Sequence, residues 1–359
     1  MTATRPRKSG PAQPGLTVAV TGPTGEIGIA FLRALEHSDL VTEVRGMARR
    51  PFDPQAKGLS KTTYVQGDVL DRAAIDRLVE GVDVVVHLAF LIFGNPKQSR
   101  EINLTGSRNV FEAAAASGAK RLVYTSSVAA YGFHESNPLP LHEDLGPAGT
   151  EDFYYSAQKA GLEATLLDAL AGSDVEAYVF RPSIVGGPDS PALIKNVPYI
   201  GTPAALPAGL RRILDKLPQP GPVILDPGTP LQLVHANDVA DALVNAVEGQ
   251  GEPGYYNLGA EGEFTMTDLA RELGWRSLQI PDIAVDVTAE LVKRLPALPS
   301  QAAWIQTAQI PVVMDTSRAR ELLGWAPRHD TMDTLRETVD GARRAGIVTA
   351  SGRAADQST

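Results

Sequence analysis

Short apolar runs alternate with amphipathic stretches through the first half of the chain. Runs rich in β-branched residues predict six strands, over residues 16–20, 43–47, 63–65, 83–88, 121–125 and 175–180. Between several of these runs apolar residues recur at helical spacing, which predicts helices over 71–80, 102–116 and 155–170. The runs hardly alternate between apolar and polar residues, as expected of strands buried on both faces. The pattern predicts an α/β fold, a doubly wound parallel sheet of the Rossmann type.

The pattern changes after Arg181, where proline and glycine become frequent. Residues 208–216 are predicted to form a helix, residues 231–235 and 254–258 to belong to a sheet, and the region after 263 to be mostly helical. We therefore expect a Rossmann domain and a smaller C-terminal lobe between two disordered tails. The predicted division is 1–15 for the first tail, 16–181 plus about 222–262 for the Rossmann domain, 182–221 plus about 263–345 for the lobe, and 350–359 for the second tail.

Composition narrows the classes of function. The net charge of −9 disfavours nucleic-acid binding, which needs clustered positive charge. No apolar run approaches the roughly 20 residues that span a bilayer, and the polar, proline-rich start of the chain does not resemble a secretory signal. Cysteine is absent, and the six histidines show no spacing typical of metal ligands, so no metal site is predicted. We expect a cytoplasmic protein with a small-molecule substrate and without nucleic-acid or membrane partners.

A glycine-rich segment follows the first predicted strand and opens a predicted helix. Residues 21–28 read Thr-Gly-Pro-Thr-Gly-Glu-Ile-Gly. Glycine allows a tight turn and a close approach of the backbone to a pyrophosphate, and the start of a helix offers N–H groups and positive potential. The order of strand, glycine-rich turn and helix therefore predicts a dinucleotide-binding site.

The end of the second predicted strand bears on the choice between NAD and NADP. An acidic residue often bonds the adenosine ribose at this place, but the chain has Ala48, followed by Arg49 and Arg50. A guanidinium suits the 2′-phosphate of NADP, so we predict NADP or NAD, with NADP slightly favoured and Arg49 in the site. Alternatively, both arginines are solvated loop charges. Asp68, after the third strand, is predicted either to bond the adenine or to cap the following helix.

Tyr155 and Lys159 are four residues apart and share one face of a predicted helix. A phenol has a pKa of about 10 and is a poor acid or base at neutral pH, but a nearby ammonium lowers that pKa. Ser127 follows the fifth predicted strand, at the edge where open α/β sheets build their sites. These residues predict proton exchange by Tyr155, with Ser127 holding the substrate oxygen, while a nicotinamide transfers a hydride.

These motifs, with others, occur in a fixed order along residues 16 to about 340, and the chain resembles the extended short-chain dehydrogenase/reductase family, also called the NAD-dependent epimerase/dehydratase family. The resemblance rests on residues 21–28, 67–68, 87–89, 103–110, 125–132, 155–159, 181–186, 235–240 and 322–325. It implies that the smaller lobe caps the substrate and that Ser127, Tyr155 and Lys159 are catalytic. The dinucleotide contacts that it implies are Gly22, Gly25, Ile27, Asp68, Val69, Ala89, Tyr155 and Lys159, with Pro182 and Ile184 near the nicotinamide.

The resemblance also bears on assembly and on the role of Asn103. Relatives often dimerise through two helices, which here are the predicted helices over 102–116 and 155–170, so a homodimer is a possible state. Asn103 is expected either to hydrogen-bond on the cofactor side or to satisfy polar groups in the core. The residues themselves predict that Asn237 or Asp238 caps the helix that follows them.

The chain departs from relatives that act on nucleotide sugars. Those relatives typically hold the substrate diphosphate with an asparagine and an arginine at positions where this chain has Ile184 and Leu231. The apolar residues 90–93 would line the substrate side of the cleft, which favours a less polar compound. We therefore predict an NAD(P)-dependent oxidoreductase acting on a small carbonyl or alcohol substrate. The alternatives are a nucleotide-sugar epimerase/dehydratase with retained NAD and a non-catalytic dinucleotide-binding regulator, although Tyr155 and Lys159 are both present.

Overall fold

The computed structural model describes residues 15–92, 96–151, 153–196, 199–200, 222–279 and 310–348. The predicted helix over 208–216 lies outside these residues, as do both predicted tails apart from residue 15. No helix of the described residues is long and apolar enough to cross a bilayer.

The six strands predicted in the first half are all present, within two or three residues of their predicted bounds. The strands of the described residues are β1 Leu16–Thr21, β2 Val41–Ala48, β3 Thr62–Gln66, β4 Val84–His87, β5 Arg121–Thr125, β6 Glu176–Pro182, β7 Ile184–Gly186, β8 Tyr199–Ile200, β9 Val223–Asp226, β10 Leu233–His235, β11 Gly254–Leu258 and β12 Arg276–Gln279.

The helices include the four predicted in the first half, among them the one that follows the glycine-rich turn, with one difference. The helices of the described residues are α1 Glu26–Glu36, α2 Arg72–Val79, α3 Pro96–Glu101, α4 Ser107–Ser117, α5 Tyr154–Leu170, α6 Ala192–Asn196, α7 Ala236–Val247, α8 Met266–Leu273, α9 Ser317–Leu322 and α10 Thr331–Arg344. The stretch predicted as one helix over 102–116 begins earlier and contains a π-helical turn, Ile102–Gly106, between α3 and α4. Gly106 in this turn lies directly against Val69, where a Cβ would come within 2.3 Å of Val69 Cγ2.

Seven strands form one parallel sheet in the order β11-β6-β5-β4-β1-β2-β3. The chain first adds strands on one side of β1 and then crosses to β4 on its other side. This reversal confirms the predicted doubly wound sheet. Cofactor sites of such sheets lie beyond the carboxyl ends of the strands at the reversal, here β1 and β4.

Helices bury apolar side chains on both faces of this sheet. On one face Phe31 of α1 and Leu243 of α7 are fully buried, and on the other Phe111 of α4 and Leu162 of α5 are fully buried. Complete burial of a side chain of this size contributes about 1.5–3 kcal/mol. The two covered faces explain why the central strands β1, β4 and β5 are buried at most of their positions.

The second half forms two small sheets besides supplying β11. Strand β10 pairs in parallel with β7, and β9 lies between β12 and β8. The strand Val223–Asp226 therefore pairs with Arg276–Gln279, which the sequence had placed in the lobe, and not with the seven-stranded sheet. Periodicity cannot reveal this pairing because the two strands are far apart in the sequence.

His87 joins the two central strands to helix α4. Its ring is 1% exposed, and its nitrogens are hydrogen-bonded to Thr21 Oγ1 at 2.6 Å and to Ser107 Oγ at 2.8 Å. Burial, with a smaller contribution from the charge of Lys159, lowers the pKa of His87 to about 3. The folded protein therefore holds this imidazole neutral at physiological pH.

This burial makes the stability of the fold depend on pH. In the unfolded chain His87 takes up a proton below a pH of about 6.5, whereas in the folded protein it stays neutral, so the stabilisation is complete above that pH and is lost as the pH falls towards 3. At about pH 5 the loss from His87 alone is about 2 kcal/mol. We expect urea unfolding at about pH 7.5 and about pH 5 to show this difference. The variant His87→Gln should show a smaller pH dependence, and His37→Gln, at an exposed histidine, the wild-type dependence. Equal pH dependence in all three proteins would contradict this assignment.

Candidate active site

The carboxyl ends of β1 and β4 meet through a glycine. Gly22, the first residue after β1, has a φ of +77°, and its N–H donates to the carbonyl of Met47 at 3.0 Å. A Cβ at Gly22 would come within 2.6 Å of the backbone nitrogen of Ala89, which follows β4. The turn is therefore closed against the neighbouring strand in a way that only glycine permits.

Gly28 and Gly25 serve different purposes in this turn. A Cβ at Gly28 would lie 2.4 Å from the carbonyl oxygen of Gly22, so the close packing of turn and helix requires glycine there. A Cβ at Gly25 would meet only that same oxygen, at an ordinary 3.5 Å, and Gly25 has an unstrained φ of −80°. Neither packing nor backbone conformation therefore explains the glycine at position 25.

The space beside this glycine has the character of a ligand site. Gly25 is the N-cap residue of α1, and no side chain caps the helix at that position. The predicted contact Ile27 lies in the first turn of the same helix. The small residue leaves room beside the positive end of the helix, which fits the pyrophosphate of a dinucleotide.

The loop after β2 is fixed through its backbone and presents Arg49. The single O–H of Tyr64 is shared between the carbonyl oxygens of Ala48, at 2.7 Å, and Arg50, and Gln66 Nε2 donates to the carbonyl of Arg49 at 2.8 Å. Arg49 is exposed, and no acidic side chain of the described ranges pairs with its guanidinium. The backbone at Arg49 is therefore held in place, and no acidic side chain of the described residues neutralises the charge of its guanidinium.

Asp68 and Val69 follow β3, at the carboxyl edge of the sheet. Asp68 accepts a hydrogen bond from the N–H of Leu70 at 3.0 Å. The cap of α2 is Asp71, whose side chain accepts from the N–H of Ala74 at 3.2 Å, so the alternative that Asp68 caps this helix is wrong. Val69 is 8% exposed and packs in the core, and its carbonyl accepts from Asn109.

The loop after β4 carries Ala89 and is held by Asn103. Asn103 is 1% exposed; its Oδ1 accepts from the N–H of Leu91 at 2.8 Å, and its Nδ2 donates to the carbonyl of Leu91 at 3.0 Å and to Gln158 Oε1 at 2.8 Å. Of the two roles predicted for Asn103, the structure therefore supports the second, in which its side chain satisfies polar groups in the core. Ala89 is half-buried against the turn of Gly22.

Ser127, Tyr155 and Lys159 come together at the carboxyl end of β5. Tyr155 is half-buried in the first turn of α5, and its side chain is hydrogen-bonded to that of Ser127. Ser127 is 6% exposed and also accepts from the N–H of Ala129 at 3.2 Å. Lys159 lies one helical turn after Tyr155, is 3% exposed, and donates to the carbonyl of Thr125 at 2.9 Å. The strand end and the helix thus position the three side chains that the sequence singled out.

The electrostatics of this group differ from the sequence-based expectation. Burial raises the pKa of Tyr155 to about 12, although the hydrogen bond with Ser127 acts in the opposite direction. Burial lowers the pKa of Lys159 to about 7, although the negative charge of Glu163 opposes it. The expectation that Lys159 lowers the pKa of Tyr155 is therefore wrong for the protein without cofactor. Burial disfavours the charged form of both groups, so it raises the pKa of the phenol and lowers that of the ammonium.

A buried ion pair lies behind these residues and was not predicted. Glu163 and Arg181, whose side chains are 0% and 1% exposed, are joined by hydrogen bonds of 2.6 and 3.0 Å, and Glu163 also accepts from Ser126 Oγ at 2.6 Å. The guanidinium lies between the rings of Tyr131 and Tyr255. The pair connects α5, the end of β5 and the end of β6. The spacing of Lys159 and Glu163, one further turn along the same helix, is the only signal in the sequence that could have revealed it.

The positions at which nucleotide-sugar relatives hold the diphosphate are apolar here. Pro182 is buried at the end of β6 beside Leu258, and Ile184 begins β7 and is half-buried. Leu231 is 6% exposed, and its backbone exchanges two 2.9 Å hydrogen bonds with Phe264 in an apolar cluster. The side chains of Ile184 and Leu231 cannot bind an anion, so a substrate diphosphate would need other ligands.

His235, His329 and Glu337 lie together although their sequence spacing gave no sign of it. Their potential ligand atoms lie within 4.8 Å of one another. His235 Nδ1 accepts from the N–H of Asn237 at 3.1 Å, so in the neutral ring Nε2 carries the proton and faces Glu337 at 3.3 Å, and neither nitrogen has a free lone pair to offer a metal ion. His235 is thus the cap of α7, and the prediction of Asn237 or Asp238 as the cap is wrong. Asp238 is fully buried and accepts from His329 Nδ1 at 3.0 Å.

The fold and this arrangement agree with the comparison of the chain with known families. Residues 18–259 match the NAD dependent epimerase/dehydratase family, so the chain belongs to that family. Its members and structural neighbours are NAD-dependent enzymes, among them epimerases and dehydrogenases.

Individual relatives differ in the reactions for which they are named. The chain is 27% identical to a ceramide reductase of Caulobacter vibrioides, covering 92% of this chain and 95% of that protein. It is also 27% identical to a UDP-glucose 4-epimerase of Azospirillum brasilense, covering 89% of each chain. A short-chain dehydrogenase/reductase superfamily protein of Agrobacterium tumefaciens, solved with bound NAD, has a TM-score of 0.68 at 20% identity over 92% of this chain and 97% of that one. At 20% identity, this last similarity shows a shared fold and no more.

Proposed function

We propose that the protein is an NAD(P)-dependent oxidoreductase that transfers a hydride between a nicotinamide and a small carbonyl or alcohol substrate. The observation that supports this most is the placement of Ser127 and Lys159, both buried at the carboxyl end of β5, with Tyr155 one helical turn before Lys159 on α5. A bound dinucleotide would supply the hydride acceptor or donor. Gly25, the start of α1 and Ala89 would hold it.

The three side chains would then handle the proton. Ser127 donates a hydrogen bond to the substrate oxygen and holds it beside Tyr155. In reduction, Tyr155 gives its proton to that oxygen as the carbonyl becomes an alkoxide, and in oxidation it takes the proton back. Since the pKa of Tyr155 is about 12, the phenol is protonated at neutral pH, which is the form that reduction needs. Lys159 stabilises the phenolate while the proton is transferred and donates to the ribose of the cofactor.

The second candidate is a nucleotide-sugar epimerase or dehydratase, which the similarity to a UDP-glucose 4-epimerase favours. Such an enzyme regenerates its oxidised cofactor within each cycle and retains it, whereas a reductase exchanges it after every turnover. The apolar side chains of Ile184 and Leu231 favour the reductase. We therefore expect the purified protein, once denatured, to release much less than one dinucleotide per chain. Release of one NAD per chain, retained through dialysis, would instead support the epimerase.

We further propose that Arg49 favours NADP over NAD. A 2′-phosphate would neutralise its exposed guanidinium, and a charge-assisted pair of this kind is stronger than a neutral hydrogen bond. We expect Arg49→Ala to weaken NADP binding by about tenfold or more, equal to about 1.4 kcal/mol, and NAD binding by less than about twofold in calorimetric titrations. Arg50→Ala removes the neighbouring arginine and is the matched control. Equal losses for the two dinucleotides in Arg49→Ala would show that this residue does not read the 2′-phosphate.

A further inference from the structure

The loop that follows β4 is held in place by side chains from two other elements. Asn103, in the π-helical turn, binds both backbone groups of Leu91, and Tyr154, at the start of α5, donates a hydrogen bond to the carbonyl of Ile92. Gln158 of α5 in turn accepts from Asn103. These bonds fix the backbone on the C-terminal side of Phe90, and the turn at Gly22 fixes it on the other side through Ala89. The direction of the Phe90 side chain is therefore set by the surrounding structure.

The Phe90 ring contacts two of the three side chains that would handle the proton, Tyr155 and Lys159. Its centroid is 5.6 Å from that of Tyr155 in an edge-to-face arrangement of 81°, and Lys159 Nζ lies 4.0 Å from the centre of the ring. A lysine ammonium has three N–H donors. One binds the carbonyl of Thr125, and a second can point at the face of the ring as a cation–π contact. The third is then left for a ribose hydroxyl, so the ring does not compete with the cofactor for Lys159.

We propose that Phe90 is a specificity-determining residue: its ring forms an apolar wall against the ring of Tyr155, so that the site accepts a ketone or secondary alcohol with a plain hydrocarbon carbon next to the reacting carbon and disfavours a hydroxyl group at that place. Asn103 and Tyr154 act as positioning residues for this wall. The inference rests on the proposed oxidoreductase function and names the substrate class of the same site.

The physical reason is the cost of burying an unpaired hydroxyl. A hydroxyl on the neighbouring carbon would face the aromatic ring, which offers no strong hydrogen-bond acceptor, and would lose its bonds to water. A penalty of this kind corresponds to a preference of about tenfold or more for the plain ketone. Sugars carry a hydroxyl on nearly every carbon, so the wall would act against them even if the diphosphate of a nucleotide sugar found other ligands.

The test uses two ketones that differ by one hydroxyl, cyclohexanone and 2-hydroxycyclohexanone. Their kcat/KM values are measured with NADPH for the wild type, for Phe90→Ala and for Leu167→Ala. Leu167 lies on α5, as Tyr155 and Lys159 do, but its side chain is 57% exposed, so it is the control. Dinucleotide affinity, measured by calorimetry in each variant, shows whether the cofactor site is intact.

We expect the wild type and Leu167→Ala to prefer cyclohexanone by about tenfold or more, and Phe90→Ala to reduce this preference to about twofold or less, chiefly through KM. An unchanged preference in Phe90→Ala, with normal dinucleotide affinity, would overturn the role of Phe90 and leave the proposed function standing. A wild type that prefers the hydroxylated ketone would also overturn it. If the wild type oxidises NADPH with neither ketone nor with any other carbonyl compound, the inference falls together with the proposed function.

Discussion

Replacing Tyr155 with phenylalanine should lower kcat by about 10²–10⁴-fold, the range expected when a positioned general acid is lost. The substitution removes one oxygen atom and keeps the ring that packs against Phe90. We therefore expect the dissociation constant of the dinucleotide to change by less than about twofold, because Lys159 and the turn of Gly22 are untouched. Initial rates and calorimetric titrations on the same preparations measure the two effects.

The neighbouring tyrosine provides the matched control. Tyr154→Phe also removes one hydroxyl from the first turn of α5, but that hydroxyl binds the carbonyl of Ile92 and not Ser127. We expect a loss of less than about tenfold in kcat for Tyr154→Phe, since it affects the loop and not proton transfer. If the two variants lose the same amount of activity, Tyr155 is not the acid/base of the reaction.

Alanine at Gly25 should leave the fold intact and weaken dinucleotide binding by about tenfold or more. The added methyl group would meet only the carbonyl oxygen of Gly22, at 3.5 Å, so the free energy of unfolding should stay within about 1 kcal/mol of the wild type. The same methyl group would occupy the space beside the start of α1 into which a pyrophosphate must fit. Binding is measured by calorimetry and stability by urea unfolding.

Alanine at Gly28 should give the opposite result. Its Cβ would lie 2.4 Å from the carbonyl oxygen of Gly22 and 2.7 Å from the backbone of Pro23, so the turn must shift. Overpacking of this kind costs about 1–3 kcal/mol or more in stability, whether or not a ligand is present. A Gly25→Ala variant that binds dinucleotides as tightly as the wild type would show that no ligand approaches that glycine.

The sequence was sufficient for most of the main sheet. Residues 84–86 and 122–124 are apolar at consecutive positions because both faces of the sheet are covered, and such runs can be recognised without knowledge of the partner strands. Ser127, Tyr155 and Lys159 could be singled out because a strand end and a helical spacing of four residues are local features. The glycine-rich turn was also recognisable, since its strand and helix adjoin it directly.

What the sequence could not predict depends on contacts between distant residues. The pairing of Val223–Asp226 with Arg276–Gln279 and the ion pair of Glu163 with Arg181 leave no periodic signal. The pKa of Tyr155 was predicted in the wrong direction because a pattern of residue types contains no measure of burial. Asn103 remained ambiguous for the same reason, until its partners Leu91 and Gln158 were known.

The central claim is that Tyr155 exchanges a proton with a substrate while a nicotinamide exchanges a hydride with it. The most direct test follows the absorbance of the reduced nicotinamide when wild-type protein is mixed with NADPH or NADH and a broad panel of ketones and aldehydes, and with the oxidised cofactors and the corresponding alcohols. We predict substrate-dependent loss or gain of reduced nicotinamide with the wild type, and almost none with Tyr155→Phe at equal occupancy of the cofactor. Absence of turnover across the whole panel, or equal turnover by the two proteins, would contradict the account.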